Sequence, residues 1–230
     1  MHAFRKMLVG AVALAALAPS TALAQDSYDS GPGVPRGQIE ASQYTVQITG
    51  SNAVARHERT LQWLTADRSH TVTRTIPSGK LRFEGATSPF AEFRFDAESN
   101  TLTIGKGWKT PPYLSQAQEA RNFQQSVAMG CDKLTGETTF NGHPADVYAL
   151  VPATTGPCHG DADVGQTIVD KATGTILQRT AGESDGSFTQ VETLESLRML
   201  PLNHTTRKLL AMKRHPGAKI EHETRSRASR

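Results

Sequence analysis

Alternation of apolar and polar residues with a period of two is the feature that most restricts how this chain folds. "AEFRFDAESNTLTIG" puts Phe93 and Phe95 in phase, sets Glu92, Arg94 and Asp96 against them, turns at Ser99-Asn100, and resumes with Leu102 and Ile104. Successive side chains of an extended backbone point to opposite faces, so the pattern describes a strand with two unlike faces. It recurs along the chain. "YTVQITG" alternates Tyr44, Val46 and Ile48 with Thr45, Gln47 and Thr49, and "RTLQWLT" puts Leu61 and Trp63 on one side. "HTVTRTIPSG" is rich in β-branched residues and stops at Pro77 and Gly79, and "KLRFEG" offers Leu81 and Phe83. "ADVYALV", the hairpin "IVDKATGTILQRTAGESDG" and "FTQVETLESLRML" continue the series. Within the hairpin, "DKATG" suits a type I turn closed by Gly174 in the left-handed region.

One segment departs from this rhythm. In "PPYLSQAQEARNFQQSVAMG", Leu114, Ala117, Ala120, Phe123 and Val127 recur at helical spacing. Ser115 with Gln118 has the form of a capping box, and Gly130 is a stop. The spacing predicts a helix over Ser115–Met129. The expected fold is therefore mainly β within the α+β class: a long antiparallel curved sheet or half-barrel with one inserted helix. One helix is too little to cover so many half-apolar strands. The sheet must close on itself or leave a concave apolar pocket, because exposed apolar faces aggregate and strands twist.

The ends of the chain set the expected compartment. "MHAFRKMLVGAVALAALAPSTALAQ" has a charged start at Arg5 and Lys6, an apolar stretch from Met7 to Leu17 and an Ala22-Leu23-Ala24 motif. This is the three-part pattern of a secretory signal, with cleavage expected after Ala24 and a periplasmic destination. Residues 25–42 are Pro/Gly-rich and read as a flexible leader, 43–203 as a single β-rich domain, and 204–230 as a basic tail. The whole chain carries +3, the first 24 residues account for +2 and the tail for +6, which leaves residues 25–203 at −5. A mildly acidic body of this kind gives no reason to expect nucleic acid as a partner. In the tail, "TTRKLLAMKR" sets Leu209, Leu210 and Met212 beside Arg207, Lys208, Lys213 and Arg214. Two readings follow: a short helix lying on an anionic membrane surface, or a disordered basic tail.

Two cysteines in an exported chain read as one disulfide, Cys131 with Cys158. The rival is a metal site drawing on His143 and His159, whose spacing matches no compact zinc pattern. Catalytic motifs are sparse. There is no Gly-x-Ser-x-Gly, His-Glu-x-x-His or phosphate-binding glycine loop. "GKGWKT" around Trp108 lacks P-loop spacing. His57 and Glu58 are adjacent, and adjacent strand residues face opposite ways, which makes a poor acid–base pair. "HGDADVG" offers Asp161 and Asp163 for Ca²⁺ but too few oxygens. No enzyme activity, cofactor or metal is expected.

The run "GHPADVYALV…QTIVDKATGTILQRTAGESDGSFTQVETLES" resembles the second half of the periplasmic lipoprotein-carrier superfamily, the LolA/LolB-like half-barrels. The residues that carry the likeness are Gly142, the "VYAL" strand, "IVDKATG", the charged-polar strand after it, Asp185-Gly186 and the final strand. The superfamily includes carriers of outer-membrane lipoproteins and the N-terminal domain of an envelope-stress sensor. The resemblance implies a curved half-barrel whose mouth is plugged by helices and whose cavity holds acyl chains. It transfers no catalytic residue, since its members bind. The opening amphipathic helix of the carriers has no counterpart in the Pro/Gly-rich stretch from Asp26 to Gln43.

The resulting expectation is a binding or carrier module for lipid, acylated protein or another apolar ligand. Trp63, Phe93, Phe95, Leu102 and Ile104 are its expected lining, with a closed packed core as the other reading of the same residues. The alternative function is an envelope sensor or assembly protein that binds envelope proteins without lipid.

Overall fold

The computed structural model describes residues 33–108, 113–152, 158 and 162–223. The expected signal segment, residues 25–32 of the leader, His159, Asp161 and the last residues of the tail lie outside these.

Two antiparallel meanders meet along one long seam. The first comprises β1 (Gln38–Thr49), β2 (Arg56–Leu64), β3 (Ser69–Thr75), β4 (Leu81–Thr87), β5 (Ala91–Asp96) and β6 (Thr101–Lys106). Helix α1 (Gln116–Ala128) follows, and then β7 (Asp132–Phe140), β8 (His143–Leu150), β9 (Val164–Asp170), β10 (Ile176–Gly182) and β11 (Thr189–Pro201). A short 3₁₀ turn, Thr206–Leu210, leads to β12 (Lys219–His222). The strands form one curved, open twelve-stranded sheet in the order β12-β6-β5-β4-β3-β2-β1-β11-β10-β9-β8-β7. Every pairing is antiparallel except β12 with β6. The seam is β1 with β11, registered from Gln38↔Pro201 to Thr49↔Thr189. Bulges interrupt the register at Gln43/Tyr44, Thr73/Arg74, Leu134/Gly136 and Ile176/Gln178. Each bulge adds local twist and bends its strand, which curves a sheet of this width.

The helix forms where its sequence signals lie. Ser115 is the N-cap, its hydroxyl accepts the Gln118 N–H, and the Gln118 side chain returns to the Ser115 N–H at 3.1 Å. Gly130 stops the chain with φ +79°. The "DKATG" turn closes as its chemistry requires: the Asp170 carboxylate accepts the N–H groups of Ala172 and Thr173, and Gly174 takes φ +70°. Gly50 is required by both conformation and space. Its φ is +133°, and a Cβ there would lie 2.3 Å from the Ser187 carbonyl oxygen.

Both ends of the expected domain move outward. Gln38–Ser42, read as leader, belong to β1, and Ile39 is fully buried. A single apolar residue among polar neighbours is a weak sequence signal, and its burial comes from partners on β2 and β11. The basic tail is also part of the fold. Beyond the 3₁₀ turn it crosses the sheet and adds β12 to the outer edge.

Register divides the sheet into two faces. Directly paired residues share a face. Trp63 pairs with His70, His70 with Ala86, Ala86 with Phe93 and Phe93 with Ile104. The next row on that face runs Val72, Glu84, Phe95, Leu102 and Ile220. The C-terminal segment lies over this face. Helix α1 lies over the other, where Phe123 packs with Val169, Ile176 and the edge of Tyr148. Each such buried side chain contributes about 1.5–3 kcal/mol.

Candidate ligand cavity and its buried polar clusters

Between the first-meander face and the C-terminal segment lies a cavity of about 630 Å³. Its floor is Ala86, Ala91, Phe93 and Leu102, its roof Leu210, Met212 and Pro216, and Arg68, Lys213 and Arg214 stand among its walls. The floor follows from the alternation: three consecutive strands turn their apolar phase the same way.

A buried carboxylate pins the roof. Glu84 is 1% exposed. One of its oxygens accepts from His70 Nε2 at 2.9 Å and from the Lys213 N–H at 2.9 Å. The other accepts from His215 Nε2 at 3.0 Å. His70 Nδ1 lies 2.6 Å from the Leu209 carbonyl oxygen. Both nitrogens of His70 thus face oxygen atoms. Burial pushes the Glu84 carboxyl up, but the His70 hydrogen bond, the Lys213 N–H and the charges of both imidazoles outweigh it and hold the group below its ordinary value. The His215 ring stacks on Phe95 with centroids 3.7 Å apart and planes within 8°.

The five residues expected to line a cavity share one face but not one role. Phe93 and Leu102 line the cavity. Phe95 is buried beneath His215, and Trp63 stacks against His70 at 5.2 Å. Ile104 continues the Phe93 row and pairs with His222 of β12. Sequence reading missed His70, Glu84 and His215. The available signal was phase: His70 alternates with Val72, and Glu84 with Ala86, so both polar groups occupy positions of the covered face.

A second polar cluster lies beneath α1. The Gln116 N–H donates to Glu40 at 2.9 Å, and the Gln116 side-chain amide donates to the Tyr44 hydroxyl at 2.8 Å. Glu119 pairs with Arg179 at 3.4 Å, and Glu192 is paired in register with Arg179 on the same face. Glu119 and Glu192 share one guanidinium. Burial pushes Glu40 up to about 7, against the Gln116 N–H and with help from the Glu119 charge. Burial and the Glu119 charge push Glu192 up to about 7 against Arg179. A carboxyl raised on folding contributes stability fully present below its unfolded value and lost as pH rises through its folded one. The Glu40 contribution therefore disappears between pH 4.5 and about 7. Glu40→Gln keeps an acceptor for Gln116 and removes the charge. It is expected to exceed the wild type at pH 8 by on the order of 2–3 kcal/mol and to match it near pH 4.5. Urea unfolding at both pH values checks this, and equal stability at pH 8 would contradict it.

The remaining chemistry-bearing residues are engaged locally. Glu58 is buried and holds Arg82 at 2.9 Å, so it is not paired with His57. Asp163 accepts from the Ser184 N–H and hydroxyl, and His143 pairs with Asp170 at 3.0 Å. Cys131 and Cys158 form the expected disulfide. Among the described residues no group of three or more His, Cys, Asp or Glu side chains is placed to hold a metal ion.

Solved structures similar to this chain share little of its sequence. A LolA superfamily protein from Nitrosomonas europaea is 7% identical, with a TM-score of 0.33 over 76% of this chain and 91% of that one. An uncharacterized conserved protein from Thermus thermophilus is 9% identical, with a TM-score of 0.49 over 81% of this chain and 90% of that one. The Pseudomonas aeruginosa MucA/MucB complex contains a chain 14% identical, with a TM-score of 0.43 over 77% of this chain and 56% of that one. This chain thus spans little more than half the length of that protein. At these identities the likeness concerns the fold alone. No protein-family model and no curated protein matches the chain.

Proposed function

We propose that the chain is an exported binding or carrier module of the cell envelope, holding an apolar ligand such as a lipid or the acyl chain of an acylated protein. The observation that carries this reading is the cavity: about 630 Å³, with an apolar floor of sheet residues and an apolar roof from the C-terminal segment. Small-molecule sites are typically about 300–1,000 Å³ and mostly apolar. Export rests on the signal-like start of the sequence, and a disulfide between Cys131 and Cys158 suits an oxidising compartment.

Titration of delipidated protein with fatty acids of increasing length, followed by tryptophan emission, tests it. Each buried CH₂ contributes about 0.8 kcal/mol, so affinity is expected to rise about fourfold per methylene until the cavity is full. Phe93→Asp is expected to abolish binding. Phe93 is the residue to change because it is only part-buried, whereas Phe95 lies under His215 and its loss would also disturb the fold. Flat emission with no dependence on length, in protein that melts cooperatively, would mean a closed core. The sensor or assembly reading, with protein partners, would then take its place.

A further inference from the structure

The walls of the cavity are asymmetric in charge. Arg68, Lys213 and Arg214 line it, and no aspartate or glutamate does. Its hydroxyls are already used: Thr87 bonds Ser69, and Ser88 bonds Ala91 and Phe90 within its own turn. The cations are not. The Lys213 backbone is anchored to Glu84 through its N–H, which leaves the side chain out of the latch. Among the described residues, neither the Lys213 ammonium nor the Arg214 guanidinium has a partner. Arg68 lies 3.9 Å from Asp67, with both side chains more than half exposed, a pairing worth little in water. Basic side chains on a surface are ordinarily solvated. Here three converge on a cavity whose floor and roof are largely apolar, and among the described residues its charged donors stand on the 65–68 turn and the C-terminal segment. An apolar body ending in an anion is the chemistry this arrangement matches.

The geometry points to a single-chain anionic amphiphile as the ligand, its acyl chain against Phe93, Leu102 and Met212 and its carboxylate or phosphate head between Arg68, Lys213 and Arg214. This rests on the apolar-ligand reading and adds the headgroup to it. It also gives the basic residues of the C-terminal segment a role other than lying on a bilayer. Leu210 and Met212, which would have to insert into lipid, face the cavity instead.

The test compares dodecanoate, dodecyl phosphate, dodecanol and dodecyltrimethylammonium, all below micelle formation, with delipidated protein. The two anions are expected to bind about tenfold or more tighter than the alcohol, since a hydrogen bond to a charged group contributes about 1.5–3 kcal/mol. The cation should bind weakest. Arg68→Gln, Lys213→Gln and Arg214→Gln together are expected to bring the anions to the affinity of the alcohol. All three side chains are exposed, so this variant should melt like the wild type. Equal binding of all four compounds, or an anion preference that survives the triple substitution, would overturn the headgroup assignment while the apolar-ligand reading stands. No binding by any of the four would remove both. Binding to phosphatidylglycerol vesicles with no preference among the monomers would transfer the basic residues to a membrane surface and overturn the assignment as well.

Discussion

Glu84→Ala is expected to cost about 3–5 kcal/mol of stability and to release the C-terminal segment from the sheet, the cost seen when one partner of a buried charged pair is removed. The carboxylate is 1% exposed and is the common acceptor for His70, His215 and the Lys213 N–H. Alanine leaves His70 Nε2, His215 Nε2 and the Lys213 amide without their shared acceptor. Two of the three contacts join positions far apart in the chain, Lys213 lying 129 and His215 131 positions from Glu84. No local structure replaces them. Stacking of Phe95 on His215 would lose its anchor in the same step, and the cavity its roof. Urea unfolding measures the loss of stability. Limited trypsin digestion reads the release, since Arg207, Lys208, Lys213 and Arg214 become cleavable once the segment lifts. A loss under about 1 kcal/mol with an uncleaved segment would show that the carboxylate is not the latch.

Removing the disulfide has the second large effect. The bond joins residues 27 apart. On the chain-entropy model a loop of that length stabilises the fold by about 3.5 kcal/mol. Cys131 is almost fully buried just beyond α1, where its N–H donates to the Ser126 carbonyl and its own carbonyl accepts the Val151 N–H. The bond therefore fixes the end of the helix to the connection between β8 and β9. Cys131→Ala with Cys158→Ala, which avoids placing a new polar group at the buried position, is expected to lower the unfolding free energy by about that amount and the urea midpoint with it. An unchanged midpoint would mean that the hydrogen bonds around Cys131 suffice.

These two expectations differ in how far the sequence foretold them. The cysteine pair was readable from an even count in a chain with a signal-like start. The Glu84 latch was not, although its parts were visible. His70 and Glu84 occupy the phase of Val72 and Ala86, but alternation reports only which face a residue takes. It does not say what covers that face. His215 sits in a run of basic residues whose composition suits a solvated tail. The cluster under α1 behaves the same way. Glu40 lay in the expected leader and Glu119 in an amphipathic helix, and nothing local marks Glu119 as a neighbour of both Glu40 and Glu192.

By itself, the sequence determined the local elements: the strands of both meanders except β7, the capped helix from Gln116 to Ala128, the Asp170–Gly174 turn and the cysteines available to pair. Each depends on residues within a few positions, through side-chain alternation, a capping hydroxyl or a glycine free to take positive φ. Tertiary structure alone decided that β1 joins β11, that the segment after Pro201 returns to roof the sheet, and that Glu84 is buried between two histidines. The β1–β11 and β12–β6 pairings and the contact of His215 with Glu84 each join positions more than a hundred residues apart. An alternating strand offers the same backbone donors and acceptors to any partner, so its sequence carries the face but not the neighbour.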